Sequence, residues 1–198
     1  MSEQVESFAQ MLIAAQCGDE WAVSRLWRWY QPRLLRYLRG VCGQAAEDVA
    51  SETWLSVGDG LGKFKGDEEA FRSWLFTLAH RRSIDHHRRA SRAPIPTENV
   101  PERGSTDPVE LEREHGEALR AALHLLGTLS ADQREVVLLR VVAGLEPDRV
   151  GAIMGKRPGT VRVLHHRALL QLAQTLKDRG VTPEGGESIS HHEEDVAA

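Results

Sequence analysis

Residues 71–92 read FRSWLFTLAHRRSIDHHRRASR. Phe71, Trp74, Leu75 and Leu78 recur at the three- and four-residue steps that stack side chains on one face of a helix. Towards the other end the character changes. Six arginines in the stretch (Arg72, Arg81, Arg82, Arg88, Arg89 and Arg92) face a single acid, Asp85, and three histidines lie among them. One end is anchored in a core and the other offers a row of guanidinium groups. Arginine suits phosphate because its planar fork makes two parallel hydrogen bonds and sheds water more cheaply than an ammonium. A merely solvated face ordinarily mixes signs. This one does not, which points to nucleic acid.

The rest of the chain supports that reading through the distribution of charge. The 198 residues carry a net charge of -4, so the protein does not coat DNA all over. Residues 71–92 nevertheless carry +5, from six Arg against one Asp. Residues 156–179 also carry +5: Lys156, Arg157, Arg162, Arg167, Lys177 and Arg179 against Asp178. Between them, residues 98–117 hold seven acids and two arginines. Two positive patches separated by an acidic segment fit two contacts on one polyanion.

Periodicity gives helices almost everywhere. Residues 5–17 place Phe8, Met11, Leu12 and Ala15 on one face, and Gly18 breaks the run. Asp19 suits the cap of the next helix, which gathers Val23, Leu26, Trp27 and Tyr30. Pro32 marks a boundary or a first turn, after which Leu34, Leu35, Leu38 and Val41 continue the stripe. Residues 45–57, AAEDVASETWLSV, form the cleanest amphipathic helix, with Glu47, Asp48 and Glu52 off its apolar side. Those acids serve either solubility or a basic partner protein. Residues 58–66, GDGLGKFKG, contain four glycines and read as a loop, in which Phe64 sits between Lys63 and Lys65. That ring is either a stacking platform for an unpaired base or a hydrophobe tucked onto the core. Asp67 caps the helix that follows.

Residues 93–107 hold three prolines and no period, which marks a linker. The sequence Asp107-Pro108-Val109-Glu110 opens a helix, and Ser130-Ala131-Asp132-Gln133 is a second capping box leading into the buried run VVLLRVV. Residues 145–173, LEPDRVGAIMGKRPGTVRVLHHRALLQLA, then give a short helix, a turn at Gly155 and a longer basic helix from about Pro158. This is a helix-turn-helix pattern. Val161, Leu164, Ala168 and Leu172 fall inward; Arg157, Thr160, Arg162, Val163, His166 and Arg167 fall outward, where they suit major-groove edges and flanking phosphates. Glu146 is a poor cap for the first of these helices, partly offset by Pro147. The expected fold is all-α. Two small helical domains, residues 1–92 and 115–177, are joined by a flexible linker over 93–114 and followed by an acidic tail over 178–198.

Three stretches in this order resemble an extracytoplasmic-function (group 4) RNA polymerase sigma factor of the sigma-70 family. AAEDVASETWLSV, residues 45–57, is similar to the acidic region 2 helix that docks on the polymerase clamp. Residues 64–89, FKGDEEAFRSWLFTLAHRRSIDHHRR, resemble the segment that captures the minus-ten element. Residues 129–172 resemble region 4, whose helix-turn-helix reads the minus-35 element. The resemblance implies polymerase contacts by Glu47, Asp48 and Glu52. It implies minus-ten DNA contacts by Lys63, Phe64, Lys65, Arg81, Arg82, Arg88 and Arg89, with a flipped base held by residues 58–67. It implies minus-35 contacts by Arg157, Thr160, Arg162, His166 and Arg167. The implied partners are core RNA polymerase (its largest-subunit clamp helices and its beta flap), promoter DNA and an anti-sigma factor. Where many members carry serine or threonine this chain has Glu146, and His165 stands where many have leucine or glutamine.

Three rival expectations remain. A stand-alone helix-turn-helix regulator, with residues 1–92 as sensor or dimerisation domain, would bind duplex DNA without polymerase. A metal-dependent enzyme would build on His80, Asp85, His86 and His87, but arginines around them repel a cation, so no catalytic residue, metal or cofactor is expected. Cys17 and Cys42 lie far apart in apolar helical surroundings and read as buried, inert thiols, with a redox switch as the alternative. No run has the length of a membrane span, and a soluble cytoplasmic protein without membrane insertion is expected.

Overall fold

The structure, a computed structural model, describes residues 7–92 and 110–179. These residues are helical, as the periodicity predicts. In the N-terminal half α1 (Phe8–Gln16), α2 (Glu20–Cys42), α3 (Ala46–Leu61) and α4 (Glu68–Arg92) pack around one core, with a 3₁₀ turn at Gly43–Ala45. In the C-terminal half α5 (Glu110–Gly127) precedes α6 (Ala131–Val137), whose end loosens into a π-helical turn at Leu138–Val142. Then come α7 (Pro147–Met154) and α8 (Pro158–Asp178).

Several helix ends follow the capping chemistry read from the sequence. Ser130 and Gln133 form the expected capping box at α6, and Ser7 and Gln10 form one at α1 that the sequence reading did not name. Asp67 Oδ1 accepts from the backbone N–H of Ala70 at 2.9 Å and starts α4. Asp19 occupies the cap of α2 but its side chain makes no capping bond; its carbonyl accepts from Ala22 and Val23 instead. Glu146 likewise leaves α7 without a side-chain cap and pairs with Arg140 at 3.2 Å. The capping region at Asp107 lies outside the described residues.

Four expectations are corrected. α2 runs straight through Pro32, because Leu26, Tyr30, Leu34, Tyr37 and Leu38 bury one stripe on both sides of it; that packing outweighs one missing helical hydrogen bond. Val23 and Trp27 do not join the stripe and are exposed (44% and 47%). The glycines at 58 and 60 do not make a loop. They lie in the last turn of α3, and the loop begins at Gly62. A Cβ at Gly60 would stand 2.7 Å from the Trp74 ring, so this glycine lets α3 and α4 approach rather than breaking the helix. Finally, the VVLLRVV run is not buried all round: Val136 to Leu139 are buried, but Val141 is exposed.

The helix-turn-helix itself forms as read. Gly155 takes a left-handed conformation (φ 65°) and the Lys156 N–H closes the turn on the Gly151 carbonyl at 2.9 Å. A Cβ at Gly151 would meet the Lys156 carbonyl oxygen at 2.5 Å, so only glycine permits this tight return. Val161 and Ala168 are fully buried and hold α8 against α6 and α7.

The two halves are not merely tethered. Val136, Leu138, Leu139, Leu145, Val150 and Val161 belong to the same continuous core as Leu26, Tyr37, Leu38, Phe71 and Phe76. α2 packs on α6 and the π-turn, and α4 packs on α7.

Candidate nucleic-acid and polymerase interface

α3 and α4 lie side by side, and their outer faces form an open groove of about 690 Å³. α3 contributes Glu52, Leu55, Ser56 and Asp59; α4 contributes Arg82, Asp85, Arg88, Arg89 and Arg92. Residues 48, 52, 55 and 59 follow the four-, three- and four-residue steps of one helical stripe, so acids line the α3 wall and arginines line the α4 wall. Arg89 makes a two-pronged contact with Glu52 at 3.2 and 2.9 Å. That hydrogen bond holds the Glu52 carboxyl below its ordinary value and lifts the Arg89 guanidinium above its own. Arg82 donates twice to the Ser56 hydroxyl, at 3.1 and 2.7 Å. Arg81 and Arg88 are exposed.

Glu47 and Asp48 are exposed in the first turn of α3, and Glu47 sits 3.5 Å from Arg39. Glu52 therefore stands apart from them in its contacts, being joined to an arginine of the basic wall. Leu55 escaped sequence reasoning. It is 72% exposed in the middle of the acidic stripe, and its position off the apolar face of residues 45–57 was the available signal.

At the end of α3, Gln16 donates to the carbonyls of Leu61 and Phe64 at 3.0 and 2.7 Å, which fixes the loop that follows. Phe64 stacks on Trp74 (centroids 5.0 Å apart) and meets Phe71 edge-on at 5.6 Å. Of the two readings of this ring, the geometry matches the hydrophobe tucked onto the core. Lys63 and Lys65 flank it and are exposed.

On α8, Arg157, Thr160, Arg162, His166 and Arg167 are all exposed, and Arg162 lies 3.7 Å from Asp148 of α7. His165 is half-buried beneath this face with an unpartnered Nε2. Burial and the nearby Arg140 push its pKa down.

The histidines of α4 do not converge on a metal. His80 turns away to Glu135 of α6, and among the described residues no group of three or more His, Cys, Asp and Glu side chains could hold an ion. The reading of both thiols as buried is also corrected. Cys17 is exposed at the end of α1, whereas Cys42 is half-buried and burial, with Glu135 nearby, pushes its thiol up to about 11.

Both helical halves of the chain match known families. The chain matches the family model Sigma-70 region 2 over residues 26–93 and Sigma-70, region 4 over residues 119–172. It is 34% identical over 187 residues to the ECF RNA polymerase sigma factor SigD of Mycobacterium tuberculosis, covering 90% of this chain and 86% of SigD. This chain is an extracytoplasmic-function sigma factor of the sigma-70 family. ShbA of Streptomyces griseus, another ECF sigma factor, is 34% identical over 168 residues, 78% of this chain and 87% of ShbA. Among solved structures, CnrH in complex with the cytosolic domain of CnrY gives a TM-score of 0.61 at 20% identity, covering 87% of this chain and 99% of that one. RpoE in complex with the anti-sigma factor NepR, from Bartonella quintana, gives 0.59 at 23% identity, covering 78% and 96%. These two likenesses confirm the fold.

As a sigma factor, the protein binds core RNA polymerase and directs promoter recognition, DNA opening and transcription initiation. The family matches span both helical halves, so the stand-alone regulator is not favoured. Among the described residues no helix is long and apolar enough to cross a membrane.

Proposed function

We propose a division of labour between the two halves of this sigma factor. Residues 1–92 dock on the polymerase and hold the melted minus-ten element. Residues 115–177 read the minus-35 element as duplex, with 93–114 as linker and 178–198 as an acidic tail. The observation that supports this most is the α3–α4 groove, where an acidic wall and an arginine wall run side by side. Glu47, Asp48 and the exposed Leu55 suit the clamp helices of the polymerase largest subunit, with the apolar side chain central and the acids around it. Arg81, Arg82, Arg88 and Arg89 suit the backbone of the displaced strand, and Lys63 and Lys65 sit on the loop at the other end of α4. Phe64 anchors that loop rather than stacking on a base.

Glu52 belongs functionally to both walls, since its carboxylate engages Arg89. On α8, Arg157, Thr160, Arg162, His166 and Arg167 present the donors that major-groove recognition requires. The beta flap is the proposed seat of the C-terminal half on the polymerase. CnrH forms a complex with the cytosolic domain of CnrY and RpoE with the anti-sigma factor NepR, and an anti-sigma partner is proposed here as well. The assigned roles are binding and positioning; none calls for catalysis, a cofactor or a metal. The cytoplasm, where the polymerase works, is the proposed location.

Charge reversal separates the roles. Glu47→Lys with Asp48→Lys should weaken association with core polymerase in a pull-down, whereas Arg88→Ala with Arg162→Ala should leave it intact and abolish promoter-dependent initiation. The reverse pattern would overturn the assignment.

A further inference from the structure

α8 carries more on its outer face than duplex recognition uses. Val163, Arg167 and Leu170 follow the four- and three-residue steps of one helical stripe. Val163 and Leu170 are 49% and 58% exposed. A phosphate gains nothing from such side chains, and Leu170 lies beyond Arg167, towards the end of the helix away from the turn. The same face is positive. Arg157, Arg162 and Arg167 are exposed, and Arg162 meets Asp148 of α7 only loosely, at 3.7 Å. The single acid of α8, Asp178, lies in its last turn, where Gln174 donates to its Oδ1 at 2.8 Å. Guanidinium groups with apolar side chains between them fit an acidic peptide that has apolar side chains of its own.

This chain contains such a segment. Residues 180–198, GVTPEGGESISHHEEDVAA, follow α8 and lie outside the described residues. Glu184, Glu187, Glu193, Glu194 and Asp195 give them a charge of -5, with no lysine or arginine, against +5 for residues 156–179. Ile189 stands between the acids. The distances allow a return along the helix. At about 1.5 Å per residue, Leu170, Val163 and Arg162 lie ~12, ~22 and ~24 Å back from Asp178. Counted from Arg179, an extended chain brings Ile189 as far as ~33 Å and Glu193 as far as ~46 Å.

We propose that residues 180–198 fold back on α8, with Ile189 against Leu170 and Val163 and the acids on Arg162 and Arg167, and so cover the duplex-reading face of the free protein. The proposal rests on the reading of α8 as the minus-35 helix. A segment tethered this closely acts at an effective concentration in the millimolar range. At ~4 mM, a contact with a dissociation constant of only ~1 mM leaves about one molecule in five with a bare face, which weakens duplex binding about fivefold. Promoter DNA delivered by polymerase competes at its own high local concentration and displaces the segment.

Two measurements on the full-length protein test this. In the first, Cys17→Ser with Ala197→Cys leaves one readily labelled thiol, since Cys42 is half-buried. A nitroxide on residue 197 should broaden the amide signals of residues 160–167 and not those of residues 81–89, independently of protein concentration. Broadening centred on α4, or seen only between differently labelled molecules, would place the segment on another face or on a second copy and overturn the proposal. In the second, fluorescence anisotropy with a random-sequence DNA duplex reads the competition. Replacing the five acids by their amides should tighten binding at least fivefold, and Ile189→Ser, which leaves the charge unchanged, about twofold. The gain from Ile189→Ser should vanish when Arg162→Ala and Arg167→Ala are also present. A gain from the amides with none from Ile189→Ser would reduce the effect to net charge and defeat the docked arrangement. Broadening on α8 together with a duplex affinity indifferent to Arg162→Ala and Arg167→Ala would instead defeat the reading of α8 as the duplex-reading helix.

Discussion

Alanine at Gly58 and at Gly60 should have opposite effects, although the two positions lie two residues apart in the same turn of α3. At Gly58 an added Cβ has nothing within 4 Å. Alanine there should stabilise the fold by about 1 kcal/mol through helix propensity alone. At Gly60 the same gain is opposed by the Trp74 ring, 2.7 Å from the new carbon. Carbon atoms want ~3.5–4.0 Å, so the ring must move by roughly 1 Å. Trp74 is stacked on Phe64 and edge-on to Phe71, so it cannot move alone. Overpacking of this kind costs about 1–3 kcal/mol, and loss of the aromatic pairing about 0.5–1.5 more. Net destabilisation at Gly60 should be about 0.5–3.5 kcal/mol, leaving the two variants about 1.5–4.5 kcal/mol apart. In thermal melts followed by circular dichroism that gap is worth ~3–18 °C for a chain of this size. Equal melting temperatures, or a less stable Gly58→Ala, would show that residues 58–61 are not a helix packed on Trp74. The positioning of Lys63 and Lys65 by that helix would then lose its basis.

Other substitutions address the binding faces and the interface. Arg162→Ala should weaken minus-35 recognition by about 1–3 kcal/mol if its guanidinium reads a base, measured by promoter competition with reconstituted holoenzyme; an unchanged promoter profile refutes the base contact. Leu55→Asp should weaken core-polymerase binding by about 1–2 kcal/mol without lowering the melting temperature, because the side chain is exposed and packs on nothing internal. For Glu135, burial raises the carboxyl pKa, but the His80 and Tyr37 hydrogen bonds outweigh it and leave the folded value below the ordinary 4.5. Its contribution to stability is therefore present above that value and lost as the pH falls through the folded one. Urea unfolding should show wild type ahead of Glu135→Gln at pH 7 and the gap closing in acid; a gap that widens in acid contradicts the assigned sign. With a thiol reagent at pH 8, Cys17 should react quickly and Cys42 only slowly, since a thiol with a pKa of about 11 is almost wholly protonated there.

Much of this structure was legible in the sequence because its signals are local. The helix-turn-helix could be read from Pro147, Gly155, Pro158 and the spacing of Val161, Leu164, Ala168 and Leu172, and the Ser130 capping box declared itself by residue type. The misreadings share one physical cause. Gly60 and Pro32 carry strong local preferences for ending a helix, and both lost to tertiary packing: the Trp74 ring against Gly60, and the buried stripe from Leu26 to Leu38 on both sides of Pro32. Trp27 looks like a core residue by hydrophobicity and spacing, and only the arrangement of neighbouring helices leaves it outside. The contact of Glu135 with Tyr37 and His80 spans 98 and 55 residues, and no pattern within a helix announces it. For the candidate site, residue types predicted the two charged walls, but not that Glu52 would be paired with Arg89 rather than standing with Glu47 and Asp48.

The central claim is that one chain supplies both polymerase docking with strand capture and duplex readout, in separable halves. It is tested most directly by sequencing run-off transcripts made by core polymerase reconstituted with this protein on a library of genomic fragments. The account predicts transcripts that depend on the protein and share upstream elements near positions -10 and -35. It also predicts that substitutions on α8 alter selection at the upstream element alone, while substitutions on α4 reduce opening at every promoter. Transcription indifferent to the protein, or α8 substitutions that change the downstream element instead, would contradict it.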